Sequence, residues 1–75
     1  MSEFDLVVLE EDTDSGRLKV GDVGTILTVY NEGKAFEVEF VTLTGEAVAI
    51  ETLLAHQIRP VRPSEVMAVR DMAVE

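Results

Sequence analysis

The sequence predicts an all-β fold, a small barrel of five short strands. Three observations carry that prediction. Phe36-Glu37-Val38-Glu39-Phe40 alternates apolar and acidic residues, the period-2 pattern of a half-buried strand. Gly24–Tyr30 is rich in β-branched residues, which suit a pleated surface. Between the two runs lies Asn31-Glu32-Gly33-Lys34, where Asn and Gly tolerate the positive φ of a tight hairpin.

The remaining elements follow in chain order. Leu6-Val7-Val8-Leu9 is an aliphatic run ending at an acidic stretch, and reads as the first strand. Residues 10–19 have the composition of an irregular surface loop. Val20-Gly21-Asp22 is a tight turn, and Gly21 and Gly24, three apart, call for positive φ or close backbone approach. Phe36, Val38 and Phe40 should face the core, with Glu37 and Glu39 in water. Thr42-Leu43-Thr44-Gly45 is a second hairpin connection, followed by a strand over 46–52 with Val48 and Ile50 inward. Leu53–Gln57 is too short for an α-helix and predicts a single 3-10 turn. Ile58–Val61 forms the last strand, at an edge because Pro60 cannot donate to a ladder. Closing such strands into a barrel hides their edges. The barrel is expected over residues 1–62, with 63–75 as a tail. In that tail Ser64 and Glu65 suit a helix start, and Val66, Val69, Met72 and Ala73 share one apolar arc opposite Ser64, Asp71 and Glu75. A C-terminal helix of about ten residues is the expectation, marginal unless it packs on something.

Size and composition limit the function classes. A chain of 75 residues makes one domain, burying only about 60% of its unfolded surface. A surface groove or flat face is more natural than a deep catalytic cleft. There is no cysteine, so disulfides, thiolate metal sites and cysteine nucleophiles are excluded. The N-terminal segment lacks the basic region of a signal peptide, and no apolar run approaches the ~20 residues of a membrane span. A cytoplasmic location is expected. Fifteen acids against six bases give a formal charge of −9, which repels nucleic-acid phosphates and acidic membranes and favours a basic protein partner.

Two stretches then show a resemblance. Asp5-Leu6-Val7-Val8-Leu9-Glu10-Glu11-Asp12 and Gly16-Arg17-Leu18-Lys19-Val20-Gly21-Asp22-Val23-Gly24-Thr25-Ile26 resemble the opening of a set of small prokaryotic proteins catalogued as a domain of unknown function, DUF4926. Val29-Tyr30, Glu37–Phe40 and Ile58-Arg59-Pro60 continue the match, which covers roughly residues 5–61. Gly21-Asp22-Val23-Gly24 is also similar to the turn of KOW and other SH3-like barrels. The resemblance implies an SH3-like barrel and no established activity. It also implies that such proteins are sometimes encoded beside another small protein, in the manner of antitoxin–toxin pairs. KOW domains bind RNA or proteins, but the acidity and single Tyr of this chain depart from the RNA-binding ones.

No constellation reads as catalytic. The carboxylates of residues 10–14 suggest calcium, but with Gly16 at the sixth position of an EF-hand loop the ligand positions fall on Glu11, Thr13 and Ser15, and the twelfth on Asp22 in place of Glu. His56 is the only histidine and has no nucleophile motif to serve. Glu37 and Glu39 lie about 7 Å apart on one strand face, a glycosidase-like spacing without the aromatic walls a sugar needs. Gly21 and Gly24 lack the Lys-Ser/Thr of a phosphate loop. No catalytic residue, cofactor or metal is therefore expected. The expected function is a non-enzymatic protein-binding module, antitoxin-like, that neutralises or docks a basic partner, which an adjacent gene could encode. Its contact residues would be Glu10, Glu11, Asp12, Asp14, Tyr30, Glu37 and Glu39, with Val66, Val69 and Met72 adding apolar contact from the tail. The alternative is an accessory subunit of a larger enzyme or redox complex. Edge strands and the apolar tail are also compatible with a homodimer.

Overall fold

A computed structural model describes residues 1–72. Five strands form one sheet: β1 (Leu6–Leu9), β2 (Val23–Tyr30), β3 (Ala35–Val41), β4 (Ala47–Leu54) and β5 (Ile58–Pro60), with a 3-10 turn at Ala55–Gln57 between β4 and β5. The order across the sheet is β4-β3-β2-β1-β5, and every neighbouring pair is antiparallel. All five expected strands and the 3-10 turn are present. Closure of the barrel is not: β4 and β5 remain edges, linked by the turn and not by a ladder. The expected edge position of β5, the strand that holds Pro60, is borne out.

The turn residues account for the connections. The Lys19 carbonyl accepts from Asp22 N–H, and Gly21 sits at φ 95°, a conformation only glycine adopts cheaply. In the β2–β3 hairpin Asn31, Glu32 and Gly33 are all left-handed, and the Tyr30 carbonyl accepts from Gly33 and Lys34 N–H. Glu32 is the surprise there, because a left-handed glutamate costs about 1 kcal/mol or more. Gly24, by contrast, is needed for close approach. A Cβ at this position would lie 2.6 Å from Val38 Cγ1 and 2.9 Å from Phe40 Cε2.

The core is built by alternation. Phe36, Val38 and Phe40 are 1%, 0% and 3% exposed, as the pattern predicts, and pack with Val7, Leu9, Ile26, Leu53 and Ile58. Two expectations fail here. Ile50 is 53% exposed and not inward. A register shift between Phe40 and Val41 puts Phe40 opposite Ala49 and Val41 opposite Ala47, so that Val48 is the extra residue. Val48 and Ala49 both pack on the core, and Ala49 and Leu53 then share the inner face with Glu51, leaving Ile50 outside. A bulge of one residue flips every later side chain to the other face. The second correction is Leu18, which lies in the expected surface loop yet is fully buried in the core cluster. The loop folds inward to deliver it: Thr13 N–H donates to the Leu18 carbonyl, and the loop base is closed by the reciprocal bonds Gly21 N–H to Leu9 O and Leu9 N–H to Asp22 O.

The expected tail helix is not formed over residues 65–71; Ala73 and Glu75 of that helix lie outside the described residues. Ion pairs hold the tail in an irregular path along the surface. Arg59 grips both carboxylate oxygens of Glu65, and Arg70 grips both oxygens of Asp22. With Val66 and Val69 at 90% and 82% exposure, there is no packed apolar face to offset the cost of helix nucleation.

Candidate binding surface

The acidic loop after β1 divides into two parts. Glu10 is tied down, accepting from Arg59 Nε at 2.9 Å. Asp12 serves its own loop, its Oδ1 accepting the Val20 N–H at 2.9 Å. Glu11 accepts from Gln57 Nε2 at 3.1 Å and lies 4.0 Å from His56 Nε2. Asp14 is exposed and has no charged partner among the described residues. Gln57 connects this loop to the sheet edge. Its amide donates to Glu11, its side-chain oxygen accepts the Leu54 N–H at 2.8 Å, and its backbone carbonyl accepts the Glu10 N–H.

Between the loop and β4 lies a hollow of about 320 Å³, lined by Glu11, Asp12, Thr13 and Asp14 on one side and by Glu51, Thr52, Leu53, Leu54 and Gln57 on the other. Four carboxylates therefore border one cavity, and among the described residues no Lys or Arg does. Glu51 was not among the expected contact residues. Its signal was an acid standing alone in the apolar run Ala47–Leu54, and the bulge turns it to the inner face opposite Val38, at the rim of the hollow. Among the described residues no three His, Asp or Glu side chains are arranged to hold a metal ion.

The other expected contact residues are dispersed. Glu37 and Glu39 lie half-buried on the outer sheet face, opposite Thr28 and Thr25 on β2 and opposite Thr52 and Ile50 on β4. Tyr30 is partly exposed at the end of β2. Val66 and Val69 project into solvent, while Met72 is half-buried. The acidic loop and the tail are joined through Arg70, which donates to the Arg17 carbonyl, and through Arg59, which bridges Glu10 and Glu65.

That bridge sets the local electrostatics. The Arg59 guanidinium, with the Arg62 N–H, holds the Glu65 carboxyl down at about 2, and Glu65 in turn raises Arg59. At Asp22 burial pushes the carboxyl up. The Arg70 guanidinium and the Lys19 N–H outweigh it and leave the group below the ordinary carboxylate range.

A second hollow, of about 500 Å³, is lined by Phe4, Asp5, Leu6, Pro60, Val61, Arg62 and Pro63. Phe4 is exposed there and left-handed at φ 70°, held by its N–H on the Ile26 carbonyl. None of these residues was among the expected contact residues. No helix among the described residues is long and apolar enough to cross a membrane.

No curated protein and no solved structure matches the chain. One family profile does, described as "Domain of unknown function (DUF4926)". It spans residues 3–60, from the segment ahead of β1 to the last residue of β5, and leaves the tail outside. Matched over most of its length, the chain belongs to the DUF4926 family.

Proposed function

We propose that this protein is a non-enzymatic binding module for a basic protein, and that it receives Lys or Arg side chains of its partner in the acidic hollow. One observation carries the reading: Glu11, Asp12, Asp14 and Glu51 border a single cavity that, among the described residues, no Lys or Arg lines. In a chain of net charge −9, such a site attracts cationic groups at long range and accepts them at short range. The loop that supplies three of the four carboxylates is fixed by Leu18 and Gln57, so little ordering entropy is lost on binding. Neutralising a partner encoded alongside, as an antitoxin does, is the sharpest form of this role.

The test is co-purification from native cells at low ionic strength, comparing the wild type with a Glu11→Lys/Asp14→Lys/Glu51→Lys variant. Asp12 is left intact because it caps Val20. A basic protein held by the wild type, released by salt and absent from the charge-reversed variant is the expected result. Equal retention by the variant, or no partner for either, refutes the reading.

A further inference from the structure

The β4 edge carries a second, directional feature. Leu54 lies opposite Ala35, yet its N–H bonds to Gln57 and not to β3, whereas the Ala55 N–H reaches the Lys34 carbonyl. The even-numbered residues after the bulge therefore point their backbone groups away from β3. Gln57 caps this edge at Leu54 and the bulge at Val48 interrupts it at the other end. Between them Ile50 and Thr52 present N–H and C=O groups to no other strand among the described residues, since β4 ends the sheet. Such a window is a template for one more strand.

Charge decides what fills it. A second copy pairing through both open residues would set Ile50 opposite Thr52 of the other chain and Glu51 directly opposite its own counterpart. Like charges directly opposite across a ladder are destabilising. A strand with Lys or Arg opposite Glu51 meets the reverse situation, and its cationic side chain enters the hollow bordered by Glu11, Asp12 and Asp14.

We infer that β4 takes up an extended segment of a partner as a sixth strand, pairing through Ile50 and Thr52 and placing a Lys or Arg opposite Glu51. This rests on the proposed basic partner and specifies how it is held. Affinity comes from the main-chain bonds, and the sign of the residue opposite Glu51 sets selectivity.

The experiment titrates the isotope-labelled protein at low salt with the capped peptide Thr-Thr-Val-Arg-Val-Thr-Thr and with the same peptide carrying Glu for Arg. With the Arg peptide, hydrogen exchange at the Ile50 and Thr52 amides is expected to slow by about tenfold or more as they enter a ladder. The Glu peptide should leave them unchanged, and Glu51→Lys should exchange the two preferences. Ile50→Pro removes an N–H that bonds to no strand of its own chain, so the fold is retained, and binding should be lost. Binding of the Arg peptide that survives Ile50→Pro, or leaves Ile50 and Thr52 exchanging freely, overturns strand addition while keeping a basic ligand. No binding of the Arg peptide overturns both. Protection of the same amides in the free protein, rising with concentration, overturns the inference in favour of self-pairing.

Discussion

Gly24→Ala tests the packing at the centre of the fold. The new methyl group would lie 2.6 Å from Val38 Cγ1, 2.9 Å from Phe40 Cε2 and 3.0 Å from the Glu39 carbonyl oxygen. None of these can move freely. Val38 is β-branched and completely buried, Phe40 is wedged in the core, and the third atom is backbone within β3. Overpacking of this kind costs about 1–3 kcal/mol. Gly24 does not have positive φ, so alanine also stabilises by restricting the unfolded chain, by about 0.4–1 kcal/mol. The net expected loss is about 1–2 kcal/mol, a large share of the roughly 3–5 kcal/mol a core of this size supplies. It should lower the melting temperature by roughly 5–15 °C. Val38→Ala alone should cost about 2 kcal/mol through lost burial and the cavity left behind. Joined to Gly24→Ala it opens the space that the new methyl needs. Urea denaturation of the two single variants and the double variant should therefore show a coupling of about 1 kcal/mol or more, with the double variant more stable than the sum of its parts. Additive losses, or a Gly24→Ala protein as stable as the wild type, would refute the reasoning.

Leu18→Ala should cost about 2–5 kcal/mol although Leu18 lies in a loop, whereas Leu43→Ala, at an exposed hairpin tip, should stay within about 0.5 kcal/mol; equal urea midpoints for the two would remove Leu18 from the core. The Glu65 carboxyl sits at about 2 in the folded chain against an ordinary 4.5. Its clasp on Arg59 is thus at full strength above pH 4.5 and is lost as pH falls through about 2. A carbon-detected NMR titration should place the Glu65 midpoint there, and a midpoint above 4 would contradict the clasp. Arg70→Ala removes the bonds to Asp22 and to the Arg17 carbonyl. Because the pair is partly exposed, global stability should change by less than about 1 kcal/mol, while backbone relaxation of residues 66–71 should show a released tail; a loss as large as that of Leu18→Ala would mean the tail is integral to the fold.

Strands and turns were legible because each rests on a local signal. The alternation over Phe36–Phe40 fixes the faces of β3, and Asn31, Gly33 and Gly45 supply left-handed backbone where the hairpins need it. What escaped the sequence depends on non-local placement. The bulge beside Phe40 is a property of two strands in register, so the outward turn of Ile50 and the inward turn of Glu51 could not be read from β4 alone. Leu18 sits in a polar stretch without periodicity, and only the returning path of the loop brings it to the core. The tail showed helical spacing, but the choice between helix and irregular strap is made by Arg59 and Arg70 from outside or at the end of that segment. At the candidate site, the three loop carboxylates were visible as composition. Their opposition to Glu51 across one hollow was not.

The burial of Leu18 has an evolutionary corollary. Because the acid-bearing loop is nailed to the interior by one aliphatic side chain, its rim can change charge, length or composition on either side of that nail without the sheet being redesigned. Relatives that recognise different partners are then expected to diverge around residues 11 and 13–15 while keeping a bulky aliphatic residue at position 18 and an acceptor at position 12 for the Val20 N–H, and a transplanted loop should keep its shape only if it carries both.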